Sequence, residues 1–397
     1  MPNYSPVVGL DIGSSFIRAV QVTYKGSVPV IDKVAALPLD PSIIIDGNID
    51  NPTALTNAIK ELWKVGKFST EYVRLGIGGE KVIHRLAELD WSNDKAFGKI
   101  LPFLIKDSLV VPVENYIFDF HTLAEFTRKE TNPEDKEEVI IKPKKHVLVV
   151  GAEKSHIQSQ VDVVLAAGLK PISIDSQNLA LVRSFDKPHA GGELADVSID
   201  VGGDNLNVNV HKLGQPLFIR TVADRGGRGI TQAIQKHFDI PWSKAEARKI
   251  QAMSTDPTSR PESLQVGKNI FDDEVIDLGN EDAEASSWEQ QERIRVSQEV
   301  IREKMSEVFA SIRETLIAFG SGNYPDIDGW GSISVSGGLA ATPNFVERLS
   351  DELKSDATRS APITSREHRN ISEAILATQH EYSVAVGLAI GKGSSHD

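Results

Sequence analysis

The tetrapeptides LDIG at residues 10–13 and IDVG at residues 199–202 place one strand-end turn, apolar–Asp–x–Gly, twice in a chain of 397 residues, 189 positions apart. The first copy leads into apolar alternation over 17–23, a Lys25-Gly26-Ser27 turn, and more alternation over 28–37, the pattern of a three-stranded meander. Asn51-Pro52 then opens a helix with Leu55, Ile59 and Leu62 on one face. The second copy leads into strands over 206–210 and 216–222, joined by a turn at 211–215, and a helix over 229–238. A strand, hairpin and helix unit repeated at this spacing predicts two similar α/β halves with a cleft between them. The length agrees, since one compact core rarely extends so far.

A third glycine turn, ISVSGGL at 333–339, follows another short apolar run. All three turns place successive backbone N–H groups at the end of a buried strand, where glycine lets a phosphate approach without interference from a Cβ. Asp11 and Asp200 hold matching positions of the two copies, so facing halves would bring two carboxylates to one metal-bound triphosphate. That suits Mg²⁺, which keeps waters and takes few protein carboxylates. The sequence carries neither a G-x-x-x-x-G-K-[ST] loop nor a G-x-G-x-x-G fingerprint after a first strand.

The rest of the chain narrows the function classes. A net charge of −13 disfavours nucleic acid and anionic lipid as ligands, and the lack of cysteine rules out disulfides and thiolate metal sites. No apolar run approaches the ~18 residues of a membrane span, and no secretory leader is read at the start; a cytoplasmic protein is expected. Residues 73–175 are read as a small inserted subdomain, with a polar loop at 127–138, a strand at 146–150, a helix over 154–168 and a strand over 171–174. A linking helix is expected over 176–195, and residues 254–287 read as an acidic, solvated insert. Over 288–318, Ile301, Met305, Val308, Ile312, Leu316 and Phe319 keep a helical 3–4 spacing as a core stripe. The remaining boundaries are a first half from 1–72, a second half from 196–240 and 331–380, a helical subdomain over 241–330, and a closing helix and tail over 381–397. His84, His121 and His146 read as strand or surface residues rather than ligands, because no metal-ligand spacing joins them.

Taken together, GLDIGSS near the start, IDSQNLAL at 174–181, SIDVGGDN at the second turn, AEARK at 245–249, SVSGGLAATPNF at 334–345 and AVGLAIG at 385–391 resemble the superfamily of actin, DnaK-type chaperones and sugar kinases. Within it the chain is most similar to the PilM family of type IV pilus assembly proteins, with FtsA as a relative. The resemblance implies an actin-like (ribonuclease H-like) duplicated fold around a nucleotide cleft, binding ATP or ADP with Mg²⁺. It implies that Asp11 and Asp200 order the metal, through its waters, and that Gly13, Ser14 and Ser15 cradle the β- and γ-phosphates opposite Gly202 and Gly203. Gln177 would orient water, Glu246 and Lys249 would contact the adenosine, and Gly337 and Gly338 would back it. The partner implied is the cytoplasmic N-terminal segment of a PilN-like inner-membrane protein, held in part by the inserted subdomain, which would keep the chain at the inner face of the cytoplasmic membrane.

Two positions depart from that pattern. Leu206 stands where a hydroxyl residue is usual, and Arg18 where a Lys is common, so slow or absent hydrolysis is expected. The alternatives are a sugar or small-acid kinase of the same fold, with Asp204 as a base, and an FtsA-like filament-forming protein. A surface i,i+3 pair remains open for Glu246 and Lys249.

Overall fold

The computed structural model describes residues 5–90, 101, 112–131, 139–186, 192–254, 287–322 and 327–391. In the first half, β1 (Val7–Ile12), β2 (Phe16–Lys25) and β3 (Val28–Pro38) form the expected antiparallel meander, with Asp11 opposite Arg18. After the short β4 (Ile44–Ile45) and β5 (Asn48–Ile49), the Asn51 side chain accepts from the Ala54 N–H and Pro52 takes the first helical position of α1 (Pro52–Gly66). This is the capping chemistry the sequence advertised, and Leu55, Ile59 and Leu62 are all buried.

The chain then runs through β6 (Tyr72–Ile77), β7 (Val82–Asp90), β8 (Tyr116–Thr131), β9 (Val139–Glu153), α2 (Lys154–Ala166) and β10 (Lys170–Ser176). The expected insert at 73–175 is too wide at both ends. Strands β6 and β10 pair in parallel within the main sheet, ordered β10-β6-β1-β2-β3, and Val163 and Val164 of α2 share a core with Leu55 and Ile59. Of the described strands in this stretch, β7, β8 and β9 leave that sheet, as an antiparallel sheet ordered β7-β9-β8. The loop expected over 127–138 is also shorter. Residues 127–131 continue β8, paired with 139–143 of β9, because a long ladder satisfies the backbone of a charged stretch as well as of an apolar one. Residues 132–138 lie outside the described residues.

After α3 (Gln177–Ser184), the second half repeats the first. Strands β11 (Ala195–Val201), β12 (Leu206–Lys212) and β13 (Gln215–Val222) form a meander in which Asp200 pairs with Asn207, as Asp11 does with Arg18. The helices α4 (Gly227–Phe238), α5 (Trp242–Ser254) and α6 (Ser287–Gly320) follow, then β14 (Trp330–Ser336), α7 (Phe345–Leu353) and β15 (Ala357–Arg359). The sheet order is β13-β12-β11-β14-β15. The stripe from Ile301 to Phe319 packs in one core with Val197, Val208 and Ala245, so α5 and α6 share the core of the second sheet. Residues 255–286 of the expected acidic insert lie outside the described residues.

Finally, α8 (Glu373–Ala377) leads to α9 (Ser383–Ile390), which is buried from end to end except at Ile390. This helix returns to cover the first sheet. A Cβ on Gly9 would stand 2.2 Å from the Ala385 carbonyl oxygen, and one on Gly387 would stand 1.8 Å from that of Ala180 on α3. Only backbone fits at those two crossings.

Candidate functional site

The two meanders meet through the turns that follow their first strands, where Gly203 lies against Ser14 and Ser15. Asp11, at the end of β1, accepts a hydrogen bond from Gln177 Nε2 at 2.8 Å. Asp200, at the end of β11, has the Ser336 hydroxyl 3.0 Å from its Oδ1 and Asn207 Nδ2 3.5 Å from its Oδ2. Burial pushes the Asp11 carboxyl up to about 6, against the Arg18 charge, with Asp200 adding to the rise and the Gln177 bond opposing it. Burial likewise raises Asp200, opposed by Ser336, Arg18 and Asn207. Two carboxylates from the two halves are therefore close enough to repel, in a setting that favours a cation or a proton between them. Arg18 is not free to serve that role alone, since its Nη2 is 2.6 Å from Glu381 Oε2, just ahead of α9.

The glycine turns repeat to the atom. Gly13 donates its N–H to the Phe16 carbonyl and Gly202 to that of Asn205, each at 3.0 Å. The turns also touch, for a Cβ on Gly203 would lie 2.4 Å from Ser14 Oγ and 2.6 Å from Ser15 Oγ. Behind the second turn, the Gly227 and Arg228 N–H groups at the start of α4 donate to the Gly202 and Gly203 carbonyls. The third turn closes on the same place: Gly337 has φ +87°, and a Cβ there would meet the Val201 carbonyl oxygen at 2.3 Å. Gly338 has open space at its Cβ position.

Asp11, Gly13, Ser14, Ser15, Gln177, Asp200, Gly202 and Gly203 thus gather at one junction, with Gly337 beside Val201. Glu246 and Lys249 do not form a surface pair. Lys249 is buried and donates to Glu246 Oε2 at 2.7 Å, to Thr231 Oγ1 at 2.8 Å and to the Gly227 carbonyl at 3.3 Å. They reach the second turn through α4.

The family model for type IV pilus assembly protein PilM matches residues 9–259. The chain belongs to the PilM family. A solved structure described as a PilM-PilN type IV pilus biogenesis complex superposes with a TM-score of 0.73 at 20% identity, covering 97% of this chain and 97% of that one. The ethanolamine utilization protein EutJ from Carboxydothermus hydrogenoformans superposes with a TM-score of 0.51 at 14% identity, covering 98% of this chain and 90% of that one. At these identities the superpositions carry the duplicated actin-like fold.

This PilM-family chain has a second concave feature, a cavity of about 1140 Å³ lined by parts of β8, β10, α3 and the β12–β13 turn. In sheets formed by the described residues, β8 and β10 are edge strands. His84 of β7 fixes the inserted sheet beside it: its Nε2 is 2.7 Å from the Ser176 hydroxyl, which also accepts from the Leu179 N–H as the N-cap of α3. Burial pushes His84 down to about 4, so the ring is neutral there.

Sequence reasoning missed Arg228, although RGGRG at 225–229 follows the second meander closely. From α4 it donates to the carbonyls of Ser14, Pro41 and Ile44 across the cleft. Its Nε also lies 3.2 Å from Asp204 Oδ1, an ion pair whose angle misses hydrogen-bond geometry. Asp204 in turn accepts from Ser14. Ser336 was inside a recognised motif, but its bond to Asp200 depends on strand pairing that spacing alone does not give.

Proposed function

We propose that this PilM-family protein is a nucleotide-loaded scaffold, which holds Mg-ATP or Mg-ADP between its halves and captures the cytoplasmic N-terminal segment of a PilN-like membrane protein. Asp11 and Asp200 would hold the cation, with Gly13, Ser14, Ser15, Gly202 and Gly203 around the phosphates and Glu246, Lys249, Gly337 and Gly338 around the adenosine. The bound cation would neutralise the phosphates and relieve the repulsion between the two aspartates. Among the described residues no cluster of three or more His, Asp or Glu side chains is placed to hold a metal, so phosphate and water would complete its shell. Turnover is slow in this reading. Gln177 already spends an amide N–H on Asp11, and Asp204, the base a kinase would need, is engaged by Arg228 and Ser14.

The observation that carries the partner reading is the pair of edge strands, β8 and β10, on one cavity. An extended segment can add to such edges by main-chain hydrogen bonds, while pockets read its alternate side chains. The solved relative at 0.73 is described as a complex with PilN, which supplies the class of occupant. Attachment through that partner would keep the protein at the inner face of the membrane; among the described residues no helix is long and apolar enough to cross one.

Calorimetric titration tests both parts. Mg-ATP and a synthetic N-terminal peptide of the cognate PilN-like protein should each bind the wild type. Asp200→Ala should lose ATP affinity. A protein that binds neither ligand would refute the scaffold reading.

A further inference from the structure

The β12–β13 hairpin turns through Leu213 and Gly214, between the paired residues Lys212 and Gln215. Both turn residues have positive φ, +52° for Leu213 and +78° for Gly214. A two-residue turn of this kind favours Asn-Gly or Gly-Gly, because a left-handed conformation is strained for a bulky side chain. The Leu213 side chain gains nothing from burial in return, since the residue is 63% exposed. An apolar residue that is both strained and solvated is not kept there by folding.

Its surroundings give the reason. Leu213 lines the same cavity as Ile117 of β8 and Ile174 of β10, which are 52% and 39% exposed. Three half-exposed aliphatic side chains thus converge from three different sheets, and β13 packs against β7 beside them. Isolated exposed apolar residues are ordinary, but a convergent set marks an interaction site. Both arginines among its lining residues are already matched inside the fold. Arg74 donates to the Ala389 carbonyl at 2.6 Å, and Arg183 pairs with Asp175 at 2.8 Å and donates to the Gly387 carbonyl at 2.7 Å. What the rim offers a ligand is aliphatic surface, with the exposed Asp119 carboxylate two residues along β8 from Ile117.

We propose that Leu213 is a partner-recognition residue: the second half supplies the third wall of the groove, and the captured segment sets an aliphatic side chain between Leu213, Ile117 and Ile174. This rests on the reading of the cavity as the site of a PilN-like segment. The groove is then whole only when the two halves stand as they do here, so recognition reads the arrangement of both.

Leu213→Asn tests it, because Asn is at home in this turn and relieves the strain. The thermal midpoint should equal or exceed that of the wild type, and Mg-ATP should bind unchanged. The N-terminal peptide of the cognate PilN-like protein should bind roughly tenfold or more weakly, as loss of a buried leucine contact requires. Leu213→Met should keep most of the affinity. Ile174→Ser separates the two readings. If Ile174→Ser weakens peptide binding and Leu213→Asn does not, the groove stands and the third wall is refuted. If the peptide binds both variants as it binds the wild type, or fails to bind the wild type, the groove reading falls and this inference with it. Weak binding by Leu213→Asn accompanied by a lowered thermal midpoint would also overturn it, since the turn itself would then be what was damaged.

Discussion

Replacing Asp11 with Asn should make the nucleotide-free protein more stable while abolishing Mg-ATP binding. The carboxyl rises from 3.8 to about 6 because burial strips water from the charged form and Asp200 repels it. That difference corresponds to about 3 kcal/mol at neutral pH. The sign follows from the direction: a carboxyl raised on folding contributes stability below pH 3.8 that is lost as pH climbs through about 6. The amide of Asn removes the charge and keeps an oxygen to accept from Gln177. In EDTA, the Asp11→Asn midpoint should exceed the wild type by roughly 5 °C at pH 7.5, and the gap should close toward pH 4. Adding Mg-ATP at a hundred times its Kd should stabilise the wild type by about 2.7 kcal/mol and leave the variant unmoved. A variant no more stable than the wild type at pH 7.5, or a gap that does not change with pH, would refute the argument that burial and repulsion load this carboxylate.

Two further substitutions probe the frame of the cleft. Gly337→Ala places a Cβ against the Val201 carbonyl at a φ of +87° and should cost about 3 kcal/mol or more in chemical denaturation, whereas Gly338→Ala, facing open space, should stay within about 0.5 kcal/mol of the wild type. Glu381→Gln leaves the Arg18 guanidinium buried without the negative charge of its 2.6 Å partner and should cost about 2 kcal/mol, less than a fully buried pair because Asp11 remains nearby; the denaturation midpoint reports it.

Local signals in the sequence were read correctly where local physics decides. The Asn51 cap, the Leu55, Ile59 and Leu62 face and the long stripe from Ile301 to Phe319 depend only on helical spacing. The duplicated turns were legible because Asp and Gly are needed at the same strand end in both halves. The limits of the inserted sheet were not legible. Strands β6 and β10 carry ordinary apolar runs, and which sheet they join is settled by parallel pairing with strands distant in sequence. Lys249 shows the same limit on a smaller scale, since an i,i+3 spacing says that Glu246 is near but not that Lys249 is buried or that both side chains meet the Thr231 hydroxyl of α4. Leu213 was invisible for a different reason: a leucine in a hairpin reads as misplaced until the cavity beside it is known.

The helix α9 also sets an order for synthesis. Gly9 leaves the ribosome about 375 residues before the backbone that must press against it, which at ~5–20 residues per second is a wait of roughly 20–75 s. During that time β1 and β2 have the α1 side covered but lack the helix that buries Val20 and Val22. A polypeptide cut after α3 would never acquire that cover. The two halves are similar in pattern, yet the first is finished only by a helix made after the second, so neither the nascent chain nor a fragment of it can present a finished first half ahead of the second.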